Sequence, residues 1–199
     1  MGFEIAQTRN GAPSDGVRRV SCIDKSNVTR GCQLFRATFS DIASQYPDTE
    51  ADYGYIDAFM QWITRSPEHY DTVVTSNMFG DISTDLGAVL QGGMGMAASG
   101  NIGDQHAFFE PVHGSAPKHA GQNKVNPIAS INSIQMMMDY LGRKNNDDDL
   151  VAVGRLIDES VADHLREGKQ LTYDIGGTAS CSDVGMSIAN RLADKLKER

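Results

Sequence analysis

The chain has 199 residues, of which 40% are hydrophobic and 22% charged, with a formal net charge of −8. That length and apolar content suffice for a substantial core, in one large domain or two small ones. The acidic balance argues against sequence-independent DNA binding, which needs basic patches, and no run approaches the roughly 20 apolar residues of a membrane span.

The opening stretch, MGFEIAQTRNGAPSDG, has no apolar leader core and no Ser or Thr at residue 6 for myristoylation; 10–16 reads as a loop. RRVSCI (18–23) reads as a short strand. Over 30–46, Leu34, Phe35, Thr38, Phe39, Ile42 and Ala43 recur at helical spacing, and Pro47 stops the helix. Ile56, Phe59, Met60 and Ile63 predict a second helix over 56–64. TVVTS (72–76) is a strand, followed by a helix opening near Asp81. Gly93-x-Gly95-x-x-Ala98 matches the dinucleotide fingerprint as a string, but it follows a helix instead of a strand, so it reads as a tight helix-to-strand turn.

AFFEPV (107–112) is a further strand. Asn126 and Pro127 start a helix as N-cap and first residue, and Gly142 closes it. GRKNNDDD (142–149) reads as a solvated connector, and 147–168 as a helix with acids in its first turn and Gly168 after it. QLTYDI (170–175) is strand-like, and Ser182 caps a last helix through Leu196. Strands alternating with helices predict α/β architecture. Cys22, Cys32 and Cys181 are odd in number and far apart, which reads as reduced thiols in the cytoplasm.

Several stretches carry chemistry. In SNMFGDISTD, Asp81 and Asp85 are four apart and share a helix face, where like charges repel by roughly 0.2–0.5 kcal/mol. One reading makes Asp81 an N-cap and Asp85 a first-turn acid favoured by the helix dipole. The other adds Asp57 of YIDAF and makes a hard oxygen set for Mg²⁺ or Mn²⁺. Between Glu110 and Asp139 there is no carboxylate, while His113, Lys118, His119 and Lys124 cluster. Gly114, Ser115 and Gly121 permit close backbone approach, and a helix N-terminus follows, so this segment is either a solvated loop or a seat for a nucleotide phosphate. Lys25, in DKSNV beside Asn27, is a surface charge or, near a metal ion, a base.

Taken in order, DKSNV, YIDAF, TSNMFGDISTDLGAVLQGGMGMAASGNIGD, FFEPVHGSAPKHAGQNKVNP and TYDIGGTAS resemble the β-decarboxylating dehydrogenases acting on isocitrate, 3-isopropylmalate, homoisocitrate and tartrate or D-malate. The resemblance implies an isopropylmalate dehydrogenase-like fold, here the C-terminal half of a two-domain α/β architecture. Residues 1–91 would belong to a dimer-forming domain and 92–199 to a cofactor-binding domain. It implies that Asp81 and Asp85 of one subunit and Asp57 of its twofold mate hold Mg²⁺ or Mn²⁺. Lys25, also from the mate, would assist deprotonation of the substrate hydroxyl, and Asn27 would lie near the nicotinamide.

By the same resemblance, His113, Gly114, Ser115, Ala116 and Asn126 surround the adenosine half of NAD or NADP. Lys118, His119 and Tyr173 stand where NADP-using isocitrate dehydrogenases meet the 2′-phosphate. Lys118 replaces an acid frequent in NAD-using relatives, whereas DIGG replaces the stretch bearing an NADP-binding arginine. The implied reaction passes hydride from the C2 carbon of a small hydroxy-acid to nicotinamide, and the resulting β-keto acid loses CO₂. EPVHGSAP and GGTAS favour the isopropylmalate branch, and KHAGQNKVNP looks more like isocitrate dehydrogenase. The serine and arginine segments that grip substrate carboxylates, and the tyrosine that protonates the enolate, have no counterpart here. The other readings are a non-catalytic regulatory subunit and a nucleotide-binding module without chemistry, neither of which needs Lys25 and the metal aspartates together.

Overall fold

A computed structural model describes residues 1–199 throughout. It divides into two compact units, Met1–Gly87 and Ala88–Arg199.

The first unit is built on a three-stranded parallel sheet, β1 (Arg19–Asp24), β2 (Glu50–Tyr55) and β3 (Thr72–Thr75), in the order β2-β1-β3. Central β1 is buried along its whole length, as expected of a parallel strand covered on both faces. Around it run α1 (Gly2–Thr8), α2 (Arg30–Ala43) and α3 (Ile56–Arg65), and β3 leads into α4 (Asn77–Gln91). Phe3, Ala6, Val20, Cys22 and Phe39 form the core, with Phe35, Ala43 and Tyr46 against it. Thus α2 buries Phe39 and half-buries Phe35 and Ala43, while Leu34 and Ile42, also part of the predicted stripe, are exposed. The helix also ends at Ala43, short of Tyr46, whose ring stacks on Phe3 at 5.0 Å instead.

Two elements here were not expected from the sequence. α1 is a short helix held by Phe3 and Ala6 in the core. β2, EADYGY, carries Glu50 and Asp52 and has no apolar run to mark it as a strand. It forms by pairing in register with β1, from Arg19 opposite Glu50 to Asp24 opposite Tyr55, and Arg19 Nε reaches Glu50 Oε1 at 2.6 Å. Charges of this kind are ordinary on an edge strand.

The second unit joins an antiparallel pair, β4 (Ala98–Ile102) and β5 (Ala107–Pro111), to α5 (Ile128–Asn145), α6 (Asp148–Glu167) and α7 (Cys181–Lys197). Its core is Met96, Ile128, Val161, Val184 and Ile188. Residues 142–149 are not a connector, because α5 runs through to Asn145 and α6 starts at Asp148. Gly142 is buried inside α5, where a Cβ would meet Val151 N at 2.7 Å and Asp147 O at 2.9 Å. It is there for close approach to α6 and does not stop the helix.

Asp147 caps α6 through the amides of Asp149 and Leu150, and Gly168 ends it in the left-handed region. The stretch 170–175 is no strand; Tyr173–Ile175 form one 3-10 turn. The cap of α7 is Ser180, reciprocating with Asp183, in place of Ser182. The turn after α4 is as expected from its glycines: Gly92 and Gly93 have φ of 118° and 108°, and β4 follows. No helix is long and apolar enough to cross a membrane.

Candidate active site

Because β1, β2 and β3 are parallel, their carboxyl ends share one edge of the sheet, the edge where open α/β sheets bind ligands. Lys25 follows the last residue of β1, Asp57 lies in the first turn of α3 just after β2, and α4 follows β3. Side chains separated by 32 residues meet there, with Lys25 Nζ 2.5 Å from Asp57 Oδ1. The hydrogen bond from Lys25 holds the Asp57 carboxyl below the usual carboxylate range. Lys25 is half-buried and Asp57 exposed, so their contact remains open to solvent. Asn27 is exposed on the turn in which the amides of Val28 and Thr29 donate to the Lys25 carbonyl.

α4 begins at Asn77, earlier than expected, so Asp81 is not an N-cap but lies within the helix. Asp81 and Asp85 still share a face, both exposed and neither paired with a cation of the chain. Two unpaired carboxylates a turn apart fit one side of a Mg²⁺ or Mn²⁺ shell. Within one chain no three His, Cys, Asp or Glu side chains come together to hold a metal ion. Asp57 is engaged by Lys25 instead.

In the second unit, the segment 113–126 follows β5 and leads into α5. His113 Nδ1 lies 2.8 Å from the Gly114 carbonyl, and Gly114 and Ser115 are exposed. Ala116, with φ of 45°, turns the chain into a 3-10 turn, Pro117–His119. Lys118 is exposed, whereas the ring of His119 lies 6.2 Å from that of Tyr173. Lys124 Nζ stands 5.5 Å from the Tyr173 ring centroid. His119, Lys124 and Tyr173 therefore gather into one cationic, aromatic corner, and buried His119 Nδ1 has no partner.

Asn126 is buried and does two jobs. Its Oδ1 accepts from the Ile128 amide at 3.0 Å, and its Nδ2 donates to Asp174 Oδ2 at 3.1 Å. α5 starts at Ile128, one residue later than read, so Asn126 caps it from just outside. Gly95 fits beneath this pair, where a Cβ would lie 2.7 Å from Asp174 Oδ2 and 2.9 Å from Asn126 Cβ.

Sequence reasoning gave no role to Asp24, Arg36 or Asp174. Asp24 adjoins Lys25, but its partner Arg36 comes from α2 and bears no local mark. Asp174 sat in a stretch mistaken for a strand.

The family model for isocitrate/isopropylmalate dehydrogenase matches residues 1–188. The chain is 45% identical to homoisocitrate dehydrogenase of Methanocaldococcus jannaschii over 181 residues, covering 90% of this chain and 50% of that one. It is 40% identical to 3-isopropylmalate dehydrogenase of Thermobifida fusca, covering 89% and 48%. Among solved structures, isocitrate dehydrogenase from Methylococcus capsulatus superposes with a TM-score of 0.83 at 32% identity, covering 96% of this chain and 53% of that one. The chain spans about half the length of the curated relatives it matches.

Proposed function

Because the chain belongs to the isocitrate/isopropylmalate dehydrogenase family, we propose that it carries the base, metal and cofactor residues for NAD(P)-dependent oxidative decarboxylation of a 3-substituted malate. The observation that carries this reading is the Lys25–Asp57 pair at the carboxyl edge of the parallel sheet. The isopropylmalate branch is the first reading. The 45% identity to homoisocitrate dehydrogenase favours that longer-chain acid as the second.

In the proposed reaction, Lys25 would accept the proton of the substrate hydroxyl; NAD or NADP, when bound, would supply the hydride acceptor for C2, and the β-keto acid would lose CO₂, the enolate left behind taking up a proton. Asp57 fixes Nζ in place until substrate arrives. Asp81, Asp85 and the partner subunit's Asp57 would hold Mg²⁺ or Mn²⁺, which when bound supplies charge neutralisation for the substrate's hydroxyl and carboxylate oxygens. His113, Gly114, Ser115, Ala116 and Asn126 would hold the adenosine half of the cofactor, with Asn27 beside the nicotinamide. Lys118, His119 and Tyr173 would face a 2′-phosphate, to which the cationic corner at Lys124 is suited.

A homodimer with a shared site accounts for exposed apolar side chains beside these carboxylates: Trp62 on α3 is 51% exposed, and Met78 and Ile82 on α4 are 64% and 57% exposed. Three unpaired cysteines support a reducing, cytoplasmic setting. Lys25, Asp57, Asp81 and Asp85 occurring together favours an enzyme over a regulatory subunit or a bare nucleotide-binding module.

The test is to assay the chain with isopropylmalate, homoisocitrate, isocitrate and malate, with NAD or NADP and Mn²⁺, following absorbance of the reduced cofactor. A second arm adds the half of a relative that this chain does not match. The expected result is turnover in the complemented sample that disappears in Lys25→Ala; turnover indifferent to Lys25 would overturn the proposal.

A further inference from the structure

Asp24 is 1% exposed and sits one residue before Lys25. A buried carboxylate needs a charged or hydrogen-bonding partner, and Asp24 has both kinds. Arg36 of α2 grips it with a fork, Nε to Oδ2 at 2.7 Å and Nη2 to Oδ1 at 3.0 Å. The Ser26 amide donates to Oδ1 at 2.8 Å, shaping the turn that presents Lys25. Burial pushes the Asp24 carboxyl up, but the Arg36 fork and the Ser26 amide outweigh it and leave it below its ordinary value.

The same guanidinium reaches the neighbouring strand. It lies 5.4 Å from the Tyr53 ring centroid and 5.1 Å from that of Tyr55. Its Nη2 is also 3.4 Å from the Gly54 carbonyl. Asp24 pairs with Tyr55 in the β1–β2 register, and Asp57 follows two residues after Tyr55. Arg36 is thus fastened to the ends of both strands that launch Lys25 and Asp57.

We propose that Arg36, through Asp24, is a positioning residue that sets Lys25 against Asp57; the proposal rests on the reading of those two as site residues. The planar fork fixes direction as well as charge, which a lysine cannot do. A misplacement of about 1 Å in a reacting group can cost about a hundredfold in rate.

The test reads the juxtaposition directly. A water-soluble carbodiimide joins an amine and a carboxylate in contact, and mass spectrometry of the digest detects the Lys25–Asp57 cross-link. Lys195 and Asp163, 2.9 Å apart in the second unit, give an internal control. In Arg36→Lys, which keeps the charge but loses the fork, the Lys25–Asp57 product should be lost while the control product remains. Asp24→Asn, which keeps shape and the Ser26 acceptor, should behave likewise and serves if the first variant does not fold. In a complemented, active sample, Arg36→Lys should lower kcat about a hundredfold with KM for cofactor unchanged. Persistence of the Lys25–Asp57 product in either folded variant would overturn the proposal. Absence of turnover from every sample would instead remove the catalytic reading and leave the cross-link result standing.

Discussion

Asp81 and Asp85 stand one turn apart on the exposed side of α4, with no cation of the chain paired to either carboxylate. Their repulsion, roughly 0.2–0.5 kcal/mol, has no internal relief. A divalent ion would reverse its sign. Asp81→Asn and Asp85→Asn should each stabilise the metal-free protein slightly and weaken Mn²⁺ binding strongly. Thermal melts without metal and calorimetric titration with it check both halves, and equal Mn²⁺ affinity in wild type and both variants would end the metal assignment.

Assembly is the next expectation. Trp62, Met78 and Ile82 leave apolar surface on the same two helices that bear Asp57, Asp81 and Asp85. Burying a side chain of this size is worth about 1.5–3 kcal/mol, and twofold symmetry counts it twice. Ile82→Glu should therefore shift a dimer to monomer in sedimentation equilibrium, with the far-ultraviolet spectrum unchanged. A wild type that is monomeric at every concentration would rule out a shared site.

Cofactor choice turns on charge beside the Pro117–His119 turn. Lys118→Asp should weaken NADP more than NAD, since one charge-assisted contact contributes on the order of 1–3 kcal/mol. Fluorescence titration with each cofactor gives the ratio, and an unchanged ratio would place Lys118 in solvent.

His164 is 2% exposed in α6, its Nδ1 3.0 Å from Ser187 Oγ of α7. Burial lowers its pKa below 6.5; a backbone contact with Gln170 opposes this, and the positive charge of Arg191 adds to it. The unfolded chain then binds the extra proton more readily, so stability is fully present above 6.5 and falls as pH drops towards the folded value. The slope reaches at most about 1.4 kcal/mol per pH unit. His164→Asn should melt lower than wild type at neutral pH but lose less on acidification. Parallel pH profiles for the two proteins would show that His164 does not titrate with unfolding.

The sequence by itself determined the family, the α/β class and the identity of the residues proposed for the site. Helical spacing located α2 and α3, end signals located α6 and α7, and apolar runs located β1, β3 and β5, because those signals are local. The tertiary structure decided what depends on partners distant in the chain. β2 exists because β1 offers a ladder of backbone groups, not because EADYGY favours extension. α1 forms because Phe3 finds Phe39 and Tyr46. Gly142 looked like a helix stop until the approach of α6 gave it another purpose. The meeting of Lys25 with Asp57, and the Arg36 fork behind it, follow from parallel strands bringing their carboxyl ends to one edge. Spacing along the chain carries no record of that edge, since each contact crosses a connection whose path only packing defines.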